Sequence, residues 1–162
     1  MDINVIKVGM ADLNCAYHPC IITTLGLGSC VGVALYDPTT KIVGLAHVML
    51  PSSEQAKYNS NVAKFADTAI VRLVDDMIKM GARKERIFAK LAGGAQMFLF
   101  SQGSDLMRIG YRNVMASKEA LQKLKIPIIS EDTGGNYGRT IELCSEDGKL
   151  MIKTIGFGIK QI

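Results

Sequence analysis

Two apolar runs separated by a short turn constrain the fold of this chain more than any other feature. The runs are Val31–Tyr36 and Ile42–Leu50, and the segment Asp37-Pro38-Thr39-Thr40 lies between them. Proline presets the backbone for the second position of a type I turn, and aspartate suits the first position. The pattern therefore predicts a β-hairpin.

The hairpin brings a cysteine near a histidine. Cys30 immediately precedes the first apolar run, and His47 lies within the second. If Pro38 and Thr39 are the two central residues of the turn, the register places Cys30 directly opposite His47. Directly opposed residues share one face of a sheet, with Cβ atoms about 4.5–5.5 Å apart. This register predicts that the thiol and the imidazole meet.

A turn rich in glycine precedes the cysteine, in the stretch Thr24-Leu25-Gly26-Leu27-Gly28-Ser29-Cys30. Small residues leave backbone N–H groups sterically open, so Gly28 and Ser29 are candidates for an oxyanion hole. A nucleophilic cysteine needs a base, and His47 is the candidate.

A catalytic imidazole also needs a third group that fixes its orientation. Thr23, Thr24 and Ser29 are candidates for this group, and Thr24 is the best placed, at the end of the strand that enters the turn. Each catalytic candidate has a structural alternative. Cys30 is also compatible with an ordinary buried apolar residue, and His47 with a core histidine that is hydrogen-bonded to the backbone.

Hydrophobic periodicity predicts the remaining elements. Apolar residues recur every three or four positions over about residues 61–80, which predicts a long helix that Asn61 caps and Gly81 ends. A second helix is predicted for 110–124, and the segment 11–19 is expected to be irregular. Further strands are predicted at 4–8, 20–25, 86–92, 127–131, 139–144 and 150–155. The order of elements favours an α/β fold with mixed strand directions and helices on one side.

Length and composition narrow the class of protein. The chain has 162 residues, 48% of them hydrophobic, which suits a single domain over residues 1–162. The net charge of +4 is not concentrated in a basic run, so nucleic-acid binding gains little support. No apolar run approaches the ~18 residues of a membrane span, and no secretion signal is evident, so we expect a cytoplasmic protein with reduced cysteines.

Three further motifs give weaker signals. The stretch Cys15-Ala16-Tyr17-His18-Pro19-Cys20 has loose spacing and no evident fourth ligand, so we predict no metal. The glycines at 26, 28 and 32 do not open a helix, which argues against a dinucleotide loop and leaves no cofactor predicted. Asp132-Thr133-Gly134 matches the aspartic protease triplet but is more simply a turn. The apolar patch at Met97 and Phe98 is either core or a partner surface.

Several motifs resemble the chemoreceptor glutamine deamidase family (CheD). The similarity covers nearly the whole chain, and only Phe65 departs from it, where the family usually has tyrosine. The matching motifs are Leu25-Gly26-Leu27-Gly28-Ser29-Cys30, Gly44-Leu45-Ala46-His47-Val48-Met49-Leu50-Pro51, Lys64-Phe65-Ala66-Asp67-Thr68-Ala69, Ala92-Gly93-Gly94-Ala95-Gln96-Met97-Phe98, Gly110-Tyr111-Arg112-Asn113 and Glu131-Asp132-Thr133-Gly134-Gly135-Asn136.

The resemblance implies a layered α/β/β sandwich and a triad of Cys30, His47 and Thr24. It implies a protein-glutamine glutaminase that converts glutamines on the cytoplasmic domains of bacterial chemoreceptors to glutamate. It also implies binding to the phosphatase CheC, for which Gln96, Met97 and Phe98 are candidate contacts. The alternatives are a non-catalytic binding module that regulates a chemotaxis phosphatase, and a cysteine peptidase that uses the same triad.

Overall fold

The two strands of the hairpin lie at the centre of a layered α/β structure. The computed structural model describes residues 3–54, 56–97 and 108–162. The strands described are β1 Asn4–Val8, β2 Leu13–Ala16, β3 Cys20–Leu27, β4 Val31–Asp37, β5 Ile42–Val48, β6 Phe88–Gly93, β7 Ile128–Thr133, β8 Arg139–Cys144, β9 Leu150–Thr154 and β10 Gly158–Gln161. The α-helices described are α1 Ala66–Met80 and α2 Ile109–Lys123.

The strands form two sheets of five. The order β2-β5-β4-β6-β7 makes the central sheet, and β1-β3-β8-β9-β10 makes the outer sheet. The pairs β1–β3 and β6–β7 are parallel, and the other pairs are antiparallel. These mixed, largely antiparallel sheets confirm the predicted α/β fold class.

The central sheet is covered on both faces, which is why every residue of β4 and β5 is buried. Alternate side chains, such as Val33 and Ala46, pack against α1 and α2. The others, such as Ala34 and Leu45, pack against Ile141 of the outer sheet. The layers therefore run helices, central sheet, outer sheet, and a residue on the second face of β4 or β5 lies between the two sheets.

The predicted register of the hairpin is wrong by two residues. Gly32, not Cys30, pairs with His47, and the loop has four residues between the paired Asp37 and Ile42. The cause is local: the Asp37 carboxylate accepts hydrogen bonds from the N–H groups of Thr39 and Thr40, and its carbonyl accepts from Lys41. Because side chains alternate with a period of two, a two-residue shift leaves Cys30 and His47 on the same face.

Two further predictions are corrected. The segment 11–19 is not irregular, because Leu13–Ala16 forms β2, an edge strand paired with β5. Its alternation is too short to read from the sequence. The long helix begins later than predicted, because Asn61 caps a 3₁₀ turn at Val62–Lys64 and α1 starts at Ala66. The strand at Gly158–Gln161 was not predicted at all, since glycine and charged residues make up half of it.

The start of α2 packs against backbone at the end of β6. A Cβ on Gly110 would lie 2.4 Å from the carbonyl oxygen of Ala95 and 2.6 Å from that of Gly94. Only glycine allows the helix to approach so closely. This contact brings the first turns of α2 beside the segment that follows Leu27.

We predict that Gly110→Ala destabilises the fold, although alanine normally stabilises a helix by about 1 kcal/mol relative to glycine. The added methyl must displace two backbone carbonyls, and overpacking of this kind costs about 1–3 kcal/mol. Urea unfolding measures the change. Gly9→Ala is the matched control, because a Cβ on Gly9 meets nothing within 4 Å. Unchanged stability in Gly110→Ala would contradict the close packing of α2.

Candidate active site

A hydrogen bond between the two sheets holds the histidine. His47 lies on β5 of the central sheet, Thr24 lies on β3 of the outer sheet, and Thr24 Oγ1 is 2.7 Å from His47 Nδ1. The same hydroxyl donates to the carbonyl oxygen of Val8 on β1, at 2.7 Å. Both side chains are buried. The parallel pairing of β1 with β3 places Val8 beside Thr24 and so sets up the second bond.

These two bonds determine the tautomer of His47. The hydroxyl of Thr24 has one hydrogen, and it is donated to Val8. The oxygen must therefore accept from His47, so Nδ1 carries the proton. Nε2 then holds the unprotonated lone pair, and no described atom forms a hydrogen bond with it. A neutral imidazole in this state can act as a base through Nε2.

Burial lowers the pKa of His47, because the low-dielectric space between the sheets disfavours the imidazolium. No carboxylate of the described residues offsets this lowering of the pKa. The imidazole is thus kept neutral at pH values where an exposed histidine is partly charged.

Cys30 lies just before β4 and belongs to the buried cluster between the sheets, together with Leu27 and Ile141. His47 faces the same space, since its ring reaches Thr24 on the outer sheet. If the pairing of β4 with β5 extends by one residue to Cys30, then Cys30 and His47 are diagonal neighbours. The Cα atoms of diagonal neighbours lie about 7–8 Å apart. No hydrogen bond between described atoms joins the sulfur to Nε2.

Gly32 pairs directly with His47 and faces the outer sheet closely. A Cβ on Gly32 would lie 2.6 Å from Ile141 Cδ1 and 3.0 Å from Leu27 Cδ1. Any side chain here would push into the outer sheet. Glycine at this position therefore lets the sheets close around the imidazole.

The thiol of Cys30 is in its protonated state at rest. Burial raises its pKa, and a hydrogen bond from its own backbone N–H offsets part of that increase. The shifts of Cys30 and His47 are opposite in sign, and both favour the uncharged form. The arrangement is a neutral thiol beside a neutral base, not a preformed ion pair.

The segment after β6 holds the turn of residues 28–30, here called the cysteine turn. Of the two predicted oxyanion donors in it, the N–H of Gly28 already donates to the carbonyl of Gly26 at 3.1 Å, which leaves that of Ser29. The carbonyl of Gly28 accepts from the N–H of Ala95 at 2.9 Å, and that of Cys30 accepts from Gly94 at 2.8 Å. Gly93 has a φ of +105°, and a Cβ there would lie 2.3 Å from the carbonyl oxygen of Cys30. Glycine at position 93 is thus required by contact with the cysteine turn.

Of the candidate partner contacts, Met97 is 44% exposed. Its side chain covers the open side of Gly28, where an added Cβ would lie 3.3 Å from Met97 Cγ. Gln96 donates its backbone N–H to the carbonyl of Gly135. Phe98 lies outside the described residues. Met97 therefore borders the turn that carries Cys30.

The residues of the weaker motifs have separate structural surroundings. Cys15 contacts Met80, and Cys20 faces the space between the sheets, so the two sulfurs have different surroundings. Within the described residues, no group of three or more His, Cys, Asp or Glu side chains could hold a metal ion. Asp132 forms ion pairs with Arg139 and Lys160.

Among the helices described, none has the length and apolar composition that crossing a membrane requires.

Asn113 is the site residue to which the sequence analysis assigned no role. Its Nδ2 donates to the carbonyl oxygens of Ser29 and Met49, at 2.9 Å each, and its side chain is fully buried. The only signal in the sequence was its position in the motif Gly110-Tyr111-Arg112-Asn113. A lone asparagine on a helix does not indicate which carbonyls it reaches.

The fold and the site define a class: α/β/β sandwich proteins that hold a cysteine and a hydroxyl-bound histidine between two sheets. A family model described as "CheD chemotactic sensory transduction" matches residues 49–154. The chain belongs to the CheD family.

Curated relatives resemble the chain over its full length. A protein of Caldanaerobacter subterraneus subsp. tengcongensis is 58% identical over 100% of both chains. One of Lachnoclostridium phytofermentans is 56% identical over 97% of this chain and 98% of the relative. One of Clostridium botulinum is 54% identical over 100% of both. Each is named "Probable chemoreceptor glutamine deamidase CheD".

A solved structure shares the fold. The Bacillus licheniformis hypothetical protein YfiH superposes with a TM-score of 0.51 and 16% sequence identity. The match covers 75% of this chain and 50% of the YfiH chain, so this chain corresponds to about half of that protein. At this identity the likeness concerns the fold alone.

We predict that in Thr24→Val the proton of His47 is no longer fixed on Nδ1. In the unaltered protein, NMR of the imidazole nitrogens should show the proton on Nδ1, and protonation should occur only below the usual pKa of about 6.5 because burial lowers it. The valine variant cannot accept from Nδ1, so the Nε2–H tautomer becomes populated. Thr24→Ser keeps a hydroxyl and serves as the control.

The same shift predicts how stability depends on pH. Between the unfolded pKa of about 6.5 and the lower folded pKa, the unfolded chain binds a proton at His47 and the folded chain does not. The free energy of unfolding should therefore fall as the pH drops below the unfolded pKa of about 6.5. A His47 signal that titrates like that of an exposed histidine would contradict the buried, neutral site.

Proposed function

We propose that this protein is a protein-glutamine deamidase that converts specific glutamine side chains of bacterial chemoreceptors to glutamate and releases ammonia. The observation that carries the proposal is the orientation of His47. Thr24 binds Nδ1, and the lone pair of Nε2 is left on the face that also holds Cys30. Family membership and the names of the relatives favour the same reaction and the same class of substrate.

The roles of the triad follow from the protonation states. Nε2 of His47 accepts the thiol proton as the Cys30 sulfur bonds to the carbon of the substrate carboxamide. The imidazolium then protonates the departing nitrogen, ammonia leaves, and a thioester remains. His47 next takes a proton from water, the hydroxide attacks the thioester, and the thiol regains the proton as glutamate is released. One water is consumed for each ammonia.

Thr24 supports both steps by accepting from Nδ1–H throughout. It has no charge, so it orients the ring without stabilising the imidazolium as a carboxylate would. Backbone N–H groups of Ser29 and Cys30 hold the oxyanion of each tetrahedral intermediate, whereas that of Gly28 donates to the carbonyl of Gly26. The missing hydrogen bond between sulfur and Nε2 is compatible with these roles, because catalytic hydrogen bonds often tighten only when substrate binds.

We also propose that the phosphatase CheC binds beside this site, in the cytoplasm where chemoreceptor domains lie. An exposed methionine, Met97, borders the turn of Cys30. Exposed methionine is common at surfaces that adapt to a partner. A protein bound there competes with substrate, so regulation and catalysis use one region. This combines the catalytic proposal with the binding-module alternative.

We predict that Cys30→Ala lowers ammonia release from cytoplasmic chemoreceptor fragments by at least about 1,000-fold, since the nucleophile is lost. Mass spectrometry of the fragments should show gains of about one dalton at glutamine with the unaltered protein and with Cys20→Ala, but not with Cys30→Ala. Cys20→Ala is the matched control, because Cys20 is also buried between the sheets but lies away from the turn.

Two results would reject this assignment. Substantial ammonia release by a folded Cys30→Ala variant would exclude Cys30 as the nucleophile. New amino termini without ammonia would identify a peptidase in place of a deamidase. If neither product forms with the unaltered protein but CheC binds, the chain is a binding module.

For the partner surface, we predict that Met97→Glu weakens CheC binding by about 10-fold or more, because a charge replaces an apolar contact. Isothermal titration calorimetry measures the dissociation constant. Met115→Glu is the control, since Met115 on α2 is 46% exposed and Met97 is 44% exposed. Equal affinity of the two variants would place the CheC surface elsewhere.

A further inference from the structure

Three successive carbonyl groups of the cysteine turn are held from one side. Those of Gly28 and Cys30 accept from the backbone N–H groups of Ala95 and Gly94. The carbonyl between them, that of Ser29, accepts from Nδ2 of Asn113 at 2.9 Å. Two of the three bonds are therefore backbone to backbone, and the middle one depends on a single side chain.

Because the peptide group is planar, the positions of these carbonyls also fix the directions of the N–H groups that follow them. In a trans peptide the C=O and the following N–H point in opposite directions. The carbonyl of Gly28 is held by Ala95 and that of Ser29 by α2, and these two segments pack against each other at Gly110. The N–H groups of Ser29 and Cys30 are therefore directed away from both segments. The N–H of Cys30 is near its own sulfur, where it already interacts with the thiol. A donor beside the attacking atom is where an oxyanion forms.

Asn113 also ties this turn to the strand of His47. Its second Nδ2 hydrogen bond, at 2.9 Å, goes to the carbonyl of Met49, two residues after His47. Both partners are acceptors, so only the nitrogen of the amide can face them, and the orientation of the side chain is unambiguous. Oδ1 is buried without a hydrogen-bond partner among the described residues. An arrangement that leaves this oxygen unsatisfied is a cost to stability.

The position of Asn113 is rigid. Gly110 lets α2 contact the backbone of Gly94 and Ala95, and Asn113 follows one helical turn later on the same side. Ser117, the next turn along, donates its hydroxyl to the carbonyl of Asn113 at 2.8 Å. The helix thus presents one amide to two carbonyls, one in the turn before β4 and one just after β5.

We propose that Asn113 is a positioning residue that sets the plane of the Ser29–Cys30 peptide, so that the N–H of Cys30 points at the substrate oxyanion. Through Met49 it also keeps that peptide in fixed relation to the end of the His47 strand. The proposal rests on the proposed function. Asn113 touches neither sulfur nor imidazole, and acts only through the backbone.

The experiment separates oxyanion stabilisation from nucleophile reactivity. Asn113→Ala should lower kcat for ammonia release by about 10- to 100-fold, less than the loss of a whole oxyanion donor, with KM unchanged. Alkylation of Cys30 by iodoacetamide needs no oxyanion hole, and the N–H of Cys30 has the smaller of the two effects on the thiol pKa, so the alkylation rate should fall by only about threefold or less. Tyr36→Phe removes another buried hydrogen bond from a side chain to a carbonyl, that of Ser145, at the far end of β4 and should leave both rates unchanged.

Each outcome decides the proposal. An unchanged kcat in folded Asn113→Ala overturns it. Parallel losses of alkylation and deamidation would mean that Asn113 places the sulfur and not the N–H, which also overturns it. If the alanine variant does not fold, Asn113→Ser, which keeps one donor, is assayed in its place. If neither folds, the role is structural and the proposal is rejected. Activity in Cys30→Ala would instead refute the proposed function.

Discussion

The site depends on one hydrogen bond that crosses from sheet to sheet, between the hydroxyl of Thr24 and Nδ1 of His47. It is buried, so water does not compete with it and its geometry is well defined. It also has a direction, because Val8 takes the only hydroxyl hydrogen. The packing of the two sheets therefore sets not only where the imidazole lies but which of its nitrogens is basic.

The pKa shifts of Cys30 and His47 are opposite in sign, and both favour an uncharged site. Desolvation raises the pKa of the Cys30 thiol and lowers that of His47, so neither charge forms spontaneously between the sheets. A carboxylate in place of Thr24 would favour the imidazolium and a permanent ion pair. With a neutral hydroxyl, charge separation is expected only when a substrate carbonyl and the turn donors stabilise the product of attack.

Glycine serves two distinct purposes around this site. Gly93 has a positive φ, and at both Gly93 and Gly110 an added methyl would strike backbone carbonyls. Gly32 is different, because a side chain there would strike the side chains of the opposing sheet beside the imidazole. Close approach of three segments, namely the cysteine turn, the end of β6 and the start of α2, lets backbone groups and Asn113 do the positioning.

The sequence alone determined the hairpin, the placement of Cys30 and His47 on one face, the long helix and the fold class, since these follow from local turn chemistry and periodicity. It also singled out Thr24 as the group best placed to meet the histidine, and that contact is present. The predicted register of the hairpin is wrong because the Asp37 side chain builds a longer loop. The strands β2 and β10 are not predicted because short edge strands carry little hydrophobic pattern. Which nitrogen of His47 is basic, and that Asn113 reaches Ser29 and Met49, only the tertiary structure decided. Both depend on contacts between segments distant in the chain, which no local preference encodes.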